Sequence, residues 1–165
     1  MKFLKEWGPF FGILLLIVLI RSFIITPVRV DGSSMSKTLE EGDILLLNKL
    51  DQNYERFEIV VFNIGGEKLI KRIIGLPGET VEFKNNVLYI NGEKLEENYG
   101  TGITADFNLS DLGYTIIPDN TYFVVGDNRN NSLDSRYFGC IDQSQIIGTV
   151  HTTIFPFSKL GKIEK

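Results

Sequence analysis

Cysteine and histidine are nearly absent from this sequence, and their scarcity limits the chemistry that it can perform. The 165 residues include one cysteine, Cys140, and one histidine, His151. A single cysteine cannot close an intramolecular disulfide or build a cysteine-rich metal site. His151 lies in an apolar stretch that we expect to be a strand, where a histidine is usually structural. The sequence therefore indicates no metal and no cofactor, and any catalytic base is expected to be another residue type.

An excess of positive charge is also missing. The 17 Lys and Arg residues are outnumbered by 21 Asp and Glu residues, so the formal net charge is -4. A nucleic-acid partner would require a basic face to neutralise phosphates. No nucleic-acid partner is therefore expected. The length suits one domain of ordinary size, or a core with a small insertion.

The long hydrophobic run of the sequence lies near the N terminus, over residues 8–26. It is apolar except for Arg21 and a few small polar residues. As a helix it would extend roughly 28 Å, close to the hydrocarbon thickness of a bilayer. Lys2 and Lys5 precede the run and favour a cytoplasmic N terminus, and Pro27 is expected to end the helix. Residues 8–26 are therefore predicted to form a transmembrane helix.

A cleavable signal peptide is the alternative explanation of this run. Such a peptide ends in small residues at positions -1 and -3 of its cleavage site, and no such pair follows the run here. We therefore predict an uncleaved, single-pass anchor in the cell membrane. Residues 1–7 would lie in the cytoplasm and everything after Pro27 on the extracytoplasmic side, in contact with membrane lipid.

The remaining sequence alternates between short apolar runs and turn residues. The runs that indicate strands are 28–31, 43–48, 59–62, 68–74, 81–83, 87–90, 121–125 and 146–155. No long segment after the anchor has helical periodicity. The predicted fold is mainly β, an antiparallel sheet formed by residues 27–82 and 119–165, with a small β insertion at residues 83–118.

Lys71 is a candidate base because of the strand around it. Side chains alternate along a strand, so Lys71 shares a face with two apolar residues, Leu69 and Ile73. Desolvation in such a setting lowers the pKa of a lysine, which would let the amine accept a proton near neutral pH. An exposed lysine that protects a sheet edge from aggregation is the alternative, and the strand pattern alone does not decide between them.

Ser34 is a candidate nucleophile on similarly local grounds. It follows Gly32 in a tight turn, where a serine side chain can point into a cleft and its own N–H can face an oxyanion. Residues 126–136, dense in turn formers, could form a rigid polar platform beside an active site. Taken separately, each segment could equally be an ordinary solvated loop.

Four segments of the sequence nevertheless match a known pattern in order and spacing. They are the N-terminal run, Gly32-Ser33-Ser34-Met35-Ser36-Lys37-Thr38-Leu39, Lys71-Arg72-Ile73-Ile74-Gly75-Leu76-Pro77-Gly78-Glu79, and Gly126-Asp127-Asn128-Arg129 with Asn131-Ser132, Asp134-Ser135-Arg136 and Gly139. Together they resemble bacterial type I signal peptidases, the membrane-bound Ser/Lys enzymes that remove signal peptides from secreted preproteins. The short length and small insertion are similar to those of Gram-positive members.

The resemblance implies a catalytic role for several residues. Ser34 would be the nucleophile and Lys71 the general base, with an acyl-enzyme intermediate. Ser132 would hydrogen-bond and orient the lysine amine. Asp134 and Arg136 would form a structural ion pair near the site.

The resemblance also implies a substrate pocket and an oxyanion hole. Val28, Val30 and Ile70 would line shallow pockets that admit small side chains at positions -1 and -3, because overpacking excludes large ones. The Ser34 N–H would contribute to the oxyanion hole. Some members add a serine hydroxyl two positions earlier, where this sequence has Gly32.

Two departures from the family pattern stand out. Lys37 occupies the place of the usual proline, and a charge there would lower the pKa of Lys71 further if the two were close. Arg56-Phe57-Glu58 stands where the family commonly has Arg-Gly-Asp. Neither change removes a catalytic group, so activity is expected.

Two other functions are alternatives to peptidase activity. A Ser/Lys self-cleaving regulator of the repressor type would need a DNA-binding domain, and too few residues precede the β region for one. A non-catalytic, membrane-anchored binding module would have no need of Ser34, Lys71 and Ser132 together. The peptidase is therefore the favoured prediction.

Overall fold

The computed structural model describes residues 2–163, with side chains from Trp7 onward. It consists of one N-terminal helix, α1 (Lys2–Phe23), followed by a β domain. The strands are β1 (Ile25–Arg29), β2 (Ile44–Asn48), β3 (Ile59–Ile64), β4 (Glu67–Gly75), β5 (Val81–Lys84), β6 (Val87–Ile90), β7 (Glu93–Leu95), β8 (Phe107–Asn108), β9 (Thr121–Val125), β10 (Ile141–Asp142), β11 (Ile146–Phe155) and β12 (Gly161–Lys162). Short helical turns cover Leu109–Leu112, Ser135–Phe138 (α2), Gln143–Gln145 and Phe157–Lys159.

The strands form two antiparallel sheets, so the prediction of a mainly β fold is confirmed. The large sheet has the order β1-β2-β11-β3-β4-β9-β10, with β12 beside β11. The small sheet has the order β7-β6-β5-β8. The long strand β11 is inserted between β2 and β3, and Gly148 permits this close approach. A Cβ at Gly148 would lie 2.1 Å from the carbonyl oxygen of Asn48.

The central strands are buried on both faces of the large sheet. Ile59 and Val61 of β3 pack on one face with Val30 and Met35, beneath the turn that carries Ser34. The alternate residues of β3, Val60 and Phe62, pack on the opposite face in a cluster that includes Ile73 and Val124. Because both faces are covered, β3 is a continuous apolar run instead of an alternating one.

The small sheet is joined to the large one by a shared core. Val81 and Phe83 of β5 pack with Ile74, Phe123 and Val125 of the large sheet. The insertion was predicted at residues 83–118, whereas the small sheet begins at Val81. The difference arises because the inward side chains of β5 belong to the shared core. The insertion is therefore continuous with the core that supports β4 and β9.

The predicted bounds of the N-terminal helix, residues 8–26, are wrong at the C-terminal end. The helix ends at Phe23, and Pro27 lies inside β1, which pairs with β2 from Ile25 opposite Asn48 to Arg29 opposite Ile44. Proline is tolerated there because β1 is an edge strand, whose outward N–H groups need no partner in the sheet. Among the residues that the structure describes, no helix combines the length and the hydropathy that crossing a membrane requires.

Candidate active site

Buried side chains and backbone hydrogen bonds fix the turn that carries Ser34. It connects β1 to β2, and its apolar residues Met35 and Leu39 are fully buried. The Leu39 N–H donates to the Met35 carbonyl at 2.8 Å, and the Ser36 N–H donates to the Ser33 carbonyl at 3.0 Å. The two buried side chains therefore anchor the turn and leave the half-buried Ser34 at its surface.

Lys71 lies in β4 with its amine directed at Ser34. Its side chain is 2% exposed. The Nζ atom donates to Ser34 Oγ at 2.6 Å and to the carbonyl oxygen of Ile70 at 3.1 Å. The two residues are 37 positions apart in the chain, and the structure brings them into direct contact.

Burial sets the protonation of this lysine. Desolvation lowers the pKa of Lys71 from 10.5 to about 8, while the carboxylates of Asp134 and Asp127 act in the opposite direction. A buried amine with a pKa near neutrality can exchange a proton with a hydroxyl 2.6 Å away. The pair therefore has the geometry and the protonation expected of a nucleophile and its base.

Asp134 and Arg136 form an ion pair beside Ser34 and Lys71. Arg136 Nε donates to Asp134 Oδ1 at 2.8 Å, and Nη2 donates to Oδ2 at 2.9 Å. Asp134 is fully buried and also accepts the Gly126 N–H at 3.0 Å. This ion pair therefore links α2 to the end of β9.

Ser132 lies beside Gly126 and makes no hydrogen bond to the Lys71 amine, contrary to the prediction. A Cβ at Gly126 would lie 2.2 Å from Ser132 Oγ and 2.6 Å from the Ser34 carbonyl oxygen, so glycine is required between them. Ser132 Oγ is buried and has no hydrogen-bond partner among the described residues. The expected hydrogen bond from Lys71 is absent in this arrangement, in which the amine donates to Ser34 and Ile70.

A second buried ion pair was not found by the sequence analysis. Arg72, next to Lys71, donates to both carboxylate oxygens of Asp127, at 2.9 and 2.7 Å, and both side chains are fully buried. The Thr38 hydroxyl also donates to Asp127, at 2.5 Å. Asp127 therefore connects β4, the Ser34 turn and the loop after β9. A buried position for Arg72 could have been expected from its apolar neighbours, but its partner, 55 residues away, could not.

The predicted pocket residues lie together in a cleft that Ser34 and Lys71 also line. The cleft has a volume of about 220 Å³. Val28, Val30 and Ile70 line it together with Ser34 and Lys71. Its walls combine aliphatic side chains with the charged residues Arg29, Asp31 and Lys68 and enclose a space suited to small side chains.

The two departures from the family pattern occupy unusual backbone conformations. Lys37 has φ +85° and Phe57 has φ +71°. The charged groups that act on the Lys71 amine are Asp134 and Asp127. Lys37 lines a different cavity, shared with Glu40 and Lys159. Its predicted effect on the pKa of Lys71 is therefore not supported.

His151 and Cys140 lie apart from this cleft. His151 is in β11, with Nε2 3.5 Å from the Asp51 carboxylate. Cys140 is half-buried beside the shared core, and burial raises the pKa of its thiol. Within the part of the chain that the structure describes, no group of three or more His, Cys, Asp and Glu side chains could hold a metal ion.

Comparisons with known proteins point to one family. Residues 4–155 match the family model "Signal peptidase, peptidase S26". The chain is 42% identical to signal peptidase I S of Bacillus subtilis over 173 residues, which cover 98% of this chain and 94% of that protein. It is 37% identical to signal peptidase IB of Staphylococcus aureus over 177 residues, covering 96% and 93% of the two chains.

A solved structure supports the same assignment. The chain is similar to the crystal structure of a signal peptidase I from Enterococcus faecalis, with a TM-score of 0.56 and 40% sequence identity. The similarity covers 59% of this chain and 96% of that one. The protein therefore belongs to the signal peptidase family, peptidase S26, and is a serine endopeptidase.

Proposed function

We propose that this protein removes N-terminal signal peptides from exported preproteins, with Ser34 as nucleophile and Lys71 as general base. The observation that carries the proposal is the 2.6 Å hydrogen bond between Lys71 Nζ and Ser34 Oγ at a buried position. The relatives bear the name signal peptidase I, which is the basis for the choice of substrate.

The reaction follows from this geometry. Neutral Lys71 takes the proton of Ser34 as its Oγ attacks the scissile carbonyl carbon, and the Ser34 N–H stabilises the oxyanion. The protonated amine then donates to the leaving nitrogen as the C–N bond breaks, which leaves an acyl-enzyme. Lys71 next takes a proton from a water molecule as the water oxygen attacks the acyl carbon. The amine then returns that proton to Ser34 Oγ as the ester bond breaks, which releases the signal peptide with a free carboxyl end. Gly32 has no side chain with which to donate to the oxyanion.

Ser132, Asp134 and Arg136 are proposed to support this pair. Once Ser34 Oγ is acylated, the lysine amine loses its partner at that atom, and the buried Ser132 hydroxyl is the polar group proposed to replace it. The ion pair of Asp134 and Arg136 stabilises the loop that carries Ser132, because Asp134 also binds the Gly126 N–H.

The substrate is proposed to bind as an extended segment along β4. Residues 67–71 of β4 pair with β3 on one side, whereas β9 pairs with β4 from Arg72 onward. The other edge of residues 67–71 therefore lies open beside the cleft, where a peptide could add as a strand. Val28, Val30 and Ile70 would then accept small side chains at positions -1 and -3, because larger ones would overpack the cleft.

The test of this function compares two adjacent serines. Ser34→Ala should abolish cleavage of a purified preprotein. Ser33→Ala should leave substantial activity, because the Ser33 hydroxyl accepts a hydrogen bond from Asn131 Nδ2 at 2.8 Å and does not contact the lysine. Equal activity of Ser34→Ala and the natural sequence would refute the proposal.

We further propose that α1 anchors the protein in the cell membrane, with the N terminus in the cytoplasm and the β domain on the opposite side, even though no described helix by itself meets the length and hydropathy of a membrane span. The supporting observation is that its apolar side chains are exposed on all sides: Trp7, Phe10, Phe11, Ile13, Leu14, Leu15, Leu16, Ile17, Val18, Leu19, Ile20 and Phe23. A helix that is apolar all round requires an apolar environment.

Fractionation of cells tests the anchor. The full chain should remain with membranes after an alkaline wash, and a variant that lacks residues 2–23 should be released. Protease added outside the cytoplasmic membrane should digest the β domain and spare an N-terminal tag. Release of the full chain by salt alone would contradict anchoring.

A further inference from the structure

The small insertion is hydrogen-bonded to the loop that follows β9, which in turn supports the Ser34 turn. The Thr101 N–H donates to the Asp127 carbonyl at 2.8 Å, and the Arg129 N–H donates to the Thr101 carbonyl at 2.9 Å. On its other side, the same loop holds the nucleophile turn. The Asn128 N–H donates to the Ser34 carbonyl at 2.9 Å, and Asn128 Nδ2 donates to the Ser33 carbonyl at 3.0 Å. The loop therefore lies between the insertion and Ser34.

A buried ion pair joins the same two parts of the molecule. The side chains of Arg129 and Glu97 are only 3% and 12% exposed. Both terminal nitrogens of Arg129 bind the Glu97 carboxylate, one of them at 3.0 Å. Arg129 Nε also donates to the Gly126 carbonyl, at 3.2 Å, and Nη1 donates to the Thr104 hydroxyl at 3.1 Å. Glu97 therefore holds, through one guanidinium, the backbone that lies directly against Ser34 and Ser132.

We propose that Glu97 is a positioning residue for the Ser34–Lys71 pair, and that the insertion acts on catalysis through the Glu97–Arg129 ion pair. A bidentate carboxylate–guanidinium pair specifies distance and angle, which a neutral contact does not. Without the carboxylate, the buried guanidinium is left without its counter-charge, and water or the loop must move to accommodate it. Because the Asn128 N–H of this loop donates to the Ser34 carbonyl, a movement of the loop would also displace Ser34.

The expected effect is on the chemical step. Glu97 is not among the residues that line the cleft of Val28, Val30 and Ile70, so its loss should leave substrate binding nearly unchanged. A displacement of about 1 Å in reacting groups can reduce the rate on the order of 100-fold. Water admitted beside Gly126 would also hydrate the Lys71 amine and move its pKa back toward that of free lysine.

Glu96 provides a matched control for this inference, which rests on the proposed function. It is adjacent in sequence, its side chain is 84% exposed, and its ion-pair partner Lys94 is itself exposed. We would measure kcat, KM, the pH–rate profile and the melting temperature of Glu97→Gln, Glu97→Asp and Glu96→Gln on a preprotein-derived peptide.

Glu97→Gln should lower kcat by about 10- to 100-fold, with KM within about twofold and a higher apparent pKa. Glu97→Asp, which keeps the charge, should retain more kcat than Glu97→Gln and remain folded if the latter does not. Glu96→Gln should match the natural sequence.

Unchanged kcat and pKa in both Glu97 variants would overturn the proposal, as would a loss confined to KM. Activity per folded molecule equal to that of Glu96→Gln would also overturn it, because the effect would then be on folding alone. If Ser34→Ala were as active as the natural sequence, the proposed function itself would fail, which is a distinct result.

Discussion

The protonation of Lys71 predicts how the rate of cleavage depends on pH. Burial lowers the pKa of its amine to about 8. Only the neutral amine can accept the Ser34 proton. At pH 7 about one tenth of the molecules would hold it neutral, against roughly 0.03% for an unperturbed lysine. We expect kcat/KM to rise about tenfold per pH unit up to about pH 8 and to level off above it.

The same pKa predicts a pH-dependent stability. The folded-state pKa lies below the unfolded value of 10.5, so between pH 8 and pH 10.5 the unfolded chain binds more protons and stability rises with pH. Below pH 8 the folded protein buries a charged amine, at a cost of about 3 kcal/mol. Lys71→Met removes this cost. It should raise the free energy of unfolding at pH 7 by up to about 3 kcal/mol, less the contribution of the lost hydrogen bond to Ser34.

Two assays check these expectations together. The first is cleavage of a preprotein-derived peptide at constant ionic strength over about pH 5 to pH 10. The second is chemical denaturation of the natural sequence and of Lys71→Met at pH 7 and near pH 10, where the stability difference should have largely disappeared. A rate governed by a group that titrates near the ordinary lysine value would refute the reasoning. So would a Lys71→Met protein less stable than the natural sequence at pH 7.

Predictions for substitutions at three further positions follow from the structure. Lys37→Gly should stabilise the protein by about 1 kcal/mol in thermal denaturation, because residue 37 has φ +85°, which glycine adopts without strain. Lys37→Pro cannot adopt that φ and should destabilise the protein. A Lys37→Pro protein more stable than the natural sequence would contradict this backbone conformation. Asp127→Asn leaves the buried Arg72 without its counter-charge and should cost about 3–5 kcal/mol in chemical denaturation; a loss below about 1 kcal/mol would mean that the ion pair is not buried as described. Val30→Ala enlarges the cleft and should favour peptides with a residue larger than alanine at position -1 or -3. The measurement is the ratio of kcat/KM for such a peptide to kcat/KM for the matching alanine peptide. A ratio equal to that of the natural sequence would remove Val30 from the proposed pocket.

Local sequence patterns were sufficient to predict most of the β domain. The strands β9 (Thr121–Val125) and β11 (Ile146–Phe155) have the predicted bounds, because each is an apolar run between turn residues. The end of the N-terminal helix was missed. Apolar residues at its end fit a helix and a strand equally well, and the pairing of β1 with β2 decides between them.

The candidate site was predictable only as a set of residue types. Ser34, Lys71, Asp134 and Arg136 were named from four segments in the right order, and the structure places them within one site. The partner of Arg129 was missed, because Glu97 stands in a polar stretch that resembles any exposed loop. The orientation of Ser132 toward Gly126 was missed too, since a rotamer depends on the side chains packed around it.

The sequence by itself determined which chemical groups are available: a serine in a turn, a lysine in an apolar strand, and no histidine beside them. Tertiary structure alone decided that the two meet at 2.6 Å and that the amine has a pKa of about 8. The first depends on the packing of the Ser34 turn beside β4, which brings residues 37 positions apart together, and the second on desolvation by the surrounding residues. Neither the distance nor the desolvation is a property of the local sequence, because both arise only when remote segments pack together.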